Sequence, residues 1–184
     1  MSTSLGFLIR DGLDSDIGAC LNLDHHFETD YVWQMRYAED TDQRQIIFQI
    51  EKLPRILETS WDVSEHRLRL AVPAEHCFLI AQDRDQGDIL GYLTMRHDPV
   101  YQIAQLQDLV VSFPYRRRKI GTRLLTVARN WAREHGLVRL TAEIMTRNYP
   151  GIQFCQHTGL TFSGFNDQYF PKQDIALFFS SSLR

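Results

Sequence analysis

The sequence predicts a single α/β domain built around a mixed sheet, and two observations support that prediction. Short apolar runs that suit strands alternate with segments whose apolar residues recur every three or four positions, which is the spacing of a helix face. Glycine and proline separate many of these segments, as they do at element boundaries. The 184 residues are enough for one domain with a sizeable core.

The elements follow in a definite order along the chain. The sequence predicts strands over residues 6–10, 29–38, 43–52, 77–83, 89–97, 106–111, 138–144, 160–165 and 174–180. The second and third of these form a hairpin. Helices are predicted from Asp14 or Ser15, from Ile120 to a stop at Gly136, and from an Asn148 cap to Gly159. Residues 53–75 are predicted to be a long connection.

Composition and charge narrow the class of protein. A formal net charge of −3 gives no general attraction to nucleic acid or to an anionic membrane surface. The 3 cysteines form neither a metal-type pair nor an evident disulfide framework, which favours a reducing compartment. The sequence shows no signal-peptide pattern and no apolar run long enough to cross a bilayer. These features predict a cytoplasmic protein without a metal site.

The most informative stretch, residues 102–132, reads as a strand, a basic loop and an amphipathic helix. Leu106–Val111 suits a mostly buried strand, and Pro114 closes it, because proline cannot donate to a strand ladder. Four consecutive cations, Arg116–Lys119, then precede the helix. A helix start has unpaired N–H groups and the positive end of the dipole, so this position favours an anion such as phosphate.

A run of cations has two other interpretations, a solvated charge run and a patch for nucleic acid. Its position between a buried strand and a helix start lowers the weight of both. The acidic remainder of the chain also argues against a nucleic-acid-binding module, which would show steeply salt-dependent binding. We therefore expect neither nucleic acid nor a membrane as a partner.

These residues resemble the central motif of the GNAT superfamily of acetyl-CoA-dependent N-acetyltransferases. That motif is a strand ending in a hydrophobic pair, a short turn, and Arg/Gln-x-x-Gly-x-Gly/Ala at the start of a helix. Arg116 stands at the Arg/Gln position and Gly121 at the last glycine, while Lys119 replaces the first glycine. A side chain there limits close approach to a pyrophosphate, and a left-handed conformation would cost it roughly 1 to 2 kcal/mol.

A second resemblance lies in N-Y-P-G-I-Q-F-C-Q-H-T-G-L-T-F, residues 148–162. Asn148, Phe154 and Gly159 match the next motif of the family at the expected spacing. Cys155 stands where the family commonly carries the tyrosine that protonates the leaving thiolate of coenzyme A. The resemblance implies the GNAT fold, a central, mixed, mostly antiparallel twisted sheet of about seven strands flanked by helices.

The resemblance also implies acetyl-CoA as cosubstrate, bound within core motifs that span residues 77–165. Strand residues would contact the pantetheine and polarise the thioester carbonyl, a contribution of about 3 kcal/mol from such a donor. The basic loop would hold the pyrophosphate. The cofactor-binding residues so implied are Leu109, Val110, Val111, Arg116, Arg117, Arg118, Lys119, Ile120, Gly121, Thr122 and Asn148.

Five residues are candidates for the catalytic groups. Asp108 and Glu143 lie on the strands that flank the expected thioester, and either could be the base if burial raises its pKa toward neutrality. The alternative is that each makes ordinary hydrogen bonds at a strand end. Cys155 is a candidate acid, with inert packing as the alternative. Tyr149 is a substitute acid, as is Tyr169.

The expected function is N-acetylation of an amine by direct attack on acetyl-CoA. The acceptor is a small-molecule primary amine, with a protein amino group as a further option. Because Lys119 and Cys155 depart from the motifs, a non-catalytic acyl-CoA-binding sensor or partner module is the alternative. Residues 24–75 and the 165–173 loop would build the acceptor pocket. The sequence leaves the oligomeric state open, a homodimer included.

Overall fold

The computed structural model describes residues 6–170 and 174–184 of the chain. Within those residues it has nine strands and four helices, joined by two short 3-10 turns at Asp14–Asp16 and Phe113–Tyr115. The strands are β1 Phe7–Asp11, β2 His26–Glu39, β3 Arg44–Ser60, β4 Cys77–Asp83, β5 Ile89–Asp98, β6 Ile103–Val111, β7 Arg139–Met145, β8 Thr161–Asn166 and β9 Ala176–Ser182. The helices are α1 Ile17–Leu21, α2 Glu65–Arg69, α3 Ile120–Glu134 and α4 Tyr149–His157.

Seven of the strands form one sheet in the order β1-β4-β5-β6-β7-β9-β8, and β2 pairs with β3 in a separate two-stranded sheet. The pairs β1–β4, β4–β5 and β5–β6 are antiparallel, whereas β6 and β7 are parallel. The parallel pair needs a crossover, and α3 supplies it. This confirms the predicted mixed, mostly antiparallel sheet of about seven strands flanked by helices.

A β-bulge interrupts β6 in its middle. The pairing of β5 with β6 shifts by one residue between Thr94 and Met95, which leaves Gln107 as the extra residue of β6. The parallel pairing of β6 with β7 ends at Leu106, just before the bulge. Residues 107–111 therefore continue β6 beyond the stretch that is paired with β7.

The chain divides into two compact units. The first holds the residues up to His25, Trp61–Ala142 and Ser180–Arg184. The second holds His26–Ser60 and Glu143–Phe179. The central stretch of strand, basic loop and helix lies in the first unit, and the second motif lies in the second.

The first unit has a core of aliphatic and aromatic side chains beneath α1 and α2. Its buried cluster consists of Ile17, Cys20, Leu68, Ala71, Phe78, Ile80, Tyr92 and Val110. The apolar face of α3 is buried at Ile120, Leu124 and Ala128, as its spacing predicts. Gly136 ends that helix with a φ of 73°, a left-handed conformation that glycine adopts without a side-chain clash.

The second unit is held together by aromatic rings. Trp33 on β2 lies 6.1 Å from Phe48 on β3, 6.0 Å from Phe162 on β8 and 6.0 Å from Phe179 on β9, measured between ring centroids. Such tilted and edge-on contacts stabilise a core beyond the area that they bury. The Asn148 side chain accepts a hydrogen bond from the Gly151 N–H at 2.9 Å and so caps α4 as predicted.

The predicted hairpin is present, but both strands are longer than their sequence patterns suggest. The prediction of a long connection over residues 53–75 is wrong, because β3 continues to Ser60 and α2 follows. Pro54 is tolerated because consecutive ladder pairs, Tyr31–Lys52 and Thr29–Leu57, leave residues 53–56 in an irregular stretch without ladder partners. No N–H is needed from proline there.

Candidate active site

The basic loop occupies the turn between the end of β6 and the start of α3. Arg117 and Lys119 both have a φ of 64°, and Lys119, the residue before α3, has a ψ of 9°. Both are therefore left-handed, a conformation that suits glycine and costs other residues free energy. The GNAT motif carries its first glycine at the position of Lys119. This lysine therefore has the backbone conformation that glycine adopts most easily.

The start of α3 suits an anion. The first intrahelical hydrogen bond runs from the Arg123 N–H to the Lys119 carbonyl, so the N–H groups of the preceding turn have no acceptor within the helix. No acidic residue lies in this first turn. Arg117, Arg118 and Lys119 are exposed beside it. Positive side chains, N–H groups and the helix dipole therefore favour the same negatively charged ligand.

Arg116 behaves differently from the three cations that follow it. Its Nε donates to the Val111 carbonyl at 2.9 Å and its Nη2 to the Asp24 carbonyl at 3.3 Å. The guanidinium lies 5.1 Å from the centre of the Phe113 ring, and burial lowers its pKa. Arg116 therefore fixes the loop to the end of β6, in addition to its positive charge.

A buried carboxylate lies three residues before the end of β6. The Asp108 side chain has 0% exposure and accepts from Trp61 Nε1 at 2.8 Å and from Thr94 Oγ1 at 2.7 Å. Arg67 Nε lies 3.0 and 3.1 Å from its two oxygens. Three donors, one of them cationic, thus surround this charge, as a buried carboxylate requires.

Arg67 also donates a hydrogen bond to the bulge residue of β6. Its Nη2 donates to the Gln107 carbonyl at 3.0 Å, and its guanidinium lies 5.4 Å from the centre of the Trp61 ring. A bulge leaves backbone groups outside the regular ladder, and this contact provides a partner for one of them. Through Asp108 and Gln107, Arg67 joins α2 to β6 next to residues 109–111.

His25 extends the polar cluster. Its Nε2 lies 3.3 Å from the Tyr92 hydroxyl, and its carbonyl accepts from the Trp61 N–H at 3.1 Å. Burial lowers the pKa of His25 and raises the pKa of Tyr92, so both side chains are uncharged at neutral pH. Beside these two neutral side chains, the buried Asp108 carboxylate is paired with the Arg67 guanidinium.

An open groove of about 310 Å³ lies along α2 in the first unit. Arg67 and Gln107, which are hydrogen-bonded to each other next to Asp108, form part of its wall. The lining residues are Asp62, Ser64, His66, Arg67, Leu70 and Gln107. These residues fall within the 24–75 region and the strand predicted to contribute to substrate binding.

Gly121 and the exposed Thr122 lie in the first turn of α3, and the predicted site residues of the second unit are Glu143, Asn148, Tyr149 and Cys155. Glu143 is half-buried on β7, and Cys155 is 2% exposed within α4. Tyr149, the first residue of α4, accepts a hydrogen bond from Gln153 Nε2 at 2.7 Å, and its ring packs 5.4 Å from the ring of Tyr31. The predicted 165–173 loop includes residues 171–173, which lie outside the described residues.

The profile of the acetyltransferase (GNAT) family matches residues 31–160. The chain belongs to this family. The match includes both motifs and confirms the resemblance that they indicate.

Solved structures of other GNAT proteins share the fold over nearly the whole chain. Nourseothricin acetyltransferase is 21% identical with a TM-score of 0.82, covering 97% of this chain and 99% of that chain. A Bacillus anthracis protein assigned as a streptothricin acetyltransferase, solved with acetyl coenzyme A, is 19% identical with a TM-score of 0.77, covering 96% and 99%. The Escherichia coli ribosomal-protein-S18-alanine N-acetyltransferase is 13% identical with a TM-score of 0.67, covering 96% and 94%.

Three further findings bear on the site. No curated protein matches the sequence as a relative. Within residues 6–170 and 174–184, no group of three or more His, Cys, Asp or Glu side chains is placed to hold a metal ion. None of the helices in the described chain has the length and apolar character needed to cross a membrane.

Proposed function

We propose that this GNAT acetyltransferase transfers an acetyl group from acetyl-CoA to the primary amine of a small molecule by direct attack. The observation that carries the proposal is the cationic loop at the start of α3. Exposed Arg117, Arg118 and Lys119 surround N–H groups that suit a pyrophosphate, directly after a β6 segment that runs beyond its pairing with β7.

The reaction requires no enzyme nucleophile. The amine nitrogen attacks the thioester carbonyl carbon, a C–N bond forms, and the C–S bond of acetyl-CoA breaks. A backbone N–H of Leu109, Val110 or Val111 would stabilise the oxyanion that develops on the carbonyl oxygen. The proton lost by the amine goes to a base, and the departing thiolate takes a proton from an acid.

We assign the proton transfers to two of the residues that the sequence predicts. Glu143 is the proposed base, because it is a partly exposed carboxylate on β7. Tyr149 is favoured over Cys155 as the acid, since Tyr149 is half-buried whereas Cys155 is only 2% exposed. Asp108 is better suited to positioning, because its oxygens already accept from Trp61, Arg67 and Thr94. Through Arg67 it fixes the bulge before the oxyanion-stabilising residues.

The relatives support a small-molecule acceptor. Of the three solved structures described above, two have the higher TM-scores, 0.82 and 0.77. These two are named as acetyltransferases of nourseothricin and streptothricin. A third is named for an alanine of a ribosomal protein, so a protein amino group is the second acceptor class to test. We further propose a cytoplasmic location, which the three buried free cysteines suit.

The test has two stages. Calorimetric titration with acetyl-CoA should show binding in about the micromolar range. Release of free coenzyme A is then followed with streptothricin-type amines, simple diamines and a peptide with a free N-terminus. We expect turnover with a small amine, a large kcat loss in Glu143→Gln and Tyr149→Phe, and a small one in Cys155→Ala. Binding without turnover of any amine would favour the acyl-CoA sensor, and no binding would contradict both functions.

A further inference from the structure

The hydroxyl of Tyr149 is held by a side chain of its own helix. Gln153 lies one turn after Tyr149 in α4, and residues four apart lie on the same side of a helix. The Gln153 Nε2 donates to the Tyr149 oxygen at 2.7 Å, in a partly buried position. The direction of this hydrogen bond decides what the Tyr149 proton can do.

A phenol has one O–H donor and two lone pairs that accept hydrogen bonds. Because Gln153 donates, it occupies a lone pair of Tyr149 and leaves the O–H proton for another acceptor. Among the described residues, the Tyr149 hydroxyl donates to no acceptor. An acceptor group at position 153 would instead take up this proton within the protein. The donor found there therefore suits a tyrosine that gives its proton away.

The Tyr149 ring is fixed from a second direction, by β2. It packs 5.4 Å from the Tyr31 ring, measured between ring centroids. Tyr31 directly follows the irregularity of β2, where Thr29 Oγ1 donates to the Tyr31 carbonyl at 2.7 Å and accepts from the Tyr31 N–H at 3.1 Å. Because these contacts hold the ring, the hydrogen bond from Gln153 is the contact that orients the hydroxyl.

We propose that Gln153 is a positioning residue for proton transfer from Tyr149, an inference that rests on the acid role proposed above for Tyr149. As the C–S bond of acetyl-CoA breaks, its electron pair stays on sulfur, and the sulfur takes the Tyr149 proton. The phenolate that remains then recovers a proton from water. The Gln153 N–H keeps the proton available for the first step and stabilises the charged oxygen until the second.

Steady-state release of coenzyme A tests the proposal, with the amine of the panel above that is turned over fastest. Gln153→Met keeps much of the side-chain volume and removes the donor, so we expect kcat to fall about threefold. Gln153→Glu replaces the donor by an acceptor for the Tyr149 proton, so kcat should fall at least about tenfold. KM for both substrates should not change, because the proposed role of Gln153 is confined to the proton transfer.

Gln156 provides the matched control, since it is an exposed glutamine on the same helix. Gln156→Met and Gln156→Glu make the same chemical changes away from Tyr149 and should leave kcat unchanged. Urea unfolding separates positioning from stabilisation of the helix. Gln153→Glu should keep the stability of the wild type, because the Tyr149 O–H can donate to the new carboxylate, while its kcat falls.

The Tyr149→Phe background decides whether the effect passes through the hydroxyl. In that background Gln153→Glu should lower kcat no further, as expected for two residues that act as one unit. An equal loss in both backgrounds overturns the proposal, and so does a loss that Gln156→Glu reproduces.

The same variants distinguish failure of this inference from failure of the proposed function. If Tyr149→Phe lowers kcat and Gln153→Glu does not, the role of Gln153 is wrong and the acid role of Tyr149 stands. If Tyr149→Phe keeps the kcat of the wild type, both roles are wrong. Binding of acetyl-CoA without turnover of any amine contradicts this inference together with the proposed function.

Discussion

The first unit contains two clusters of charge that differ in almost every physical respect. The cluster of Arg117, Arg118 and Lys119 is exposed, of one sign, and partly in a strained backbone conformation. The cluster around Asp108 is buried, and its charge is met by Arg67 and by the neutral donors of Trp61 and Thr94. The first is open to an anion from outside, whereas the second is already satisfied from within.

The exposed cluster is therefore suited to binding a ligand, and the buried cluster is suited to positioning the residues around it. Exposed cations that form no ion pair within the described residues gain the most from an incoming phosphate. A buried carboxylate whose donors are all in place contributes by holding those donors, and removing one of them leaves a charge without compensation. Substitutions in the loop should therefore change affinity, and substitutions around Asp108 should change stability.

The largest effect is expected from Arg67→Met, which removes the cation from the buried cluster but keeps much of the side-chain volume. The unpaired Asp108 charge should lower the free energy of unfolding by about 3 kcal/mol, at the low end for a buried pair because Arg67 is partly exposed. Urea unfolding measures this. Arg69→Met is the matched control on the same helix: its ion pairs with Asp14 and Glu65 lie at the surface, so we expect a much smaller loss. Equal losses in the two variants would contradict the comparison.

An intermediate effect is expected in the basic loop. Substitution of one arginine should change only the affinity for acetyl-CoA, and substitution of another should also change the free energy of unfolding. Arg118→Ala should weaken acetyl-CoA binding about tenfold and leave unfolding unchanged, because its guanidinium is exposed beside the Tyr115 ring. Arg116→Ala should also lower the free energy of unfolding by about 1 kcal/mol, since it loses the bond to the Val111 carbonyl. Calorimetry and urea unfolding measure the two quantities. Unchanged affinity in Arg118→Ala would remove the pyrophosphate assignment.

The smallest effect is expected from Lys119→Gly. Glycine relieves the left-handed strain, and the greater freedom of the unfolded chain offsets part of that gain, so stability should rise by up to about 1 kcal/mol. Affinity for acetyl-CoA should be kept or improved, because closer backbone approach balances the lost charge. Lys119→Ala, which removes the charge and keeps the strain, is the control in thermal unfolding and calorimetry. A severe loss of affinity in both variants would show that the lysine ammonium itself binds the cofactor.

The sequence predicted the exposed cluster, but of the buried cluster it predicted only Asp108 and none of its partners, for a physical reason. The loop is local: strand, cations and helix start are consecutive residues, and the conformation of Lys119 follows from its motif position. Asp108, by contrast, receives its partners from 47 and 41 residues away, at Trp61 and Arg67. Neither has a sequence signal that pairs it with β6, since such pairing depends on the tertiary fold.

The same distinction between local and long-range contacts explains which features of the helices and strands the sequence predicted. Cap residues such as Asn148 and stop residues such as Gly136 act within a few positions, and the structure confirms both. The length of β3 depends on its pairing with β2, and Pro54 is compatible with the strand only because the ladder is irregular there. The separate pairing of β2 with β3 likewise depends on partners that a single sequence does not specify.

The chain leaves the first unit at His25 and returns to it at Trp61, and one backbone hydrogen bond of 3.1 Å joins these two residues. The 35 residues between them therefore form an insert whose two ends meet. Its exposed turn, residues 40–42, can therefore change in length without moving the strands of the first unit. The base of the segment closes on the first unit, while Trp33 and Phe48 tie it to the aromatic core of the second.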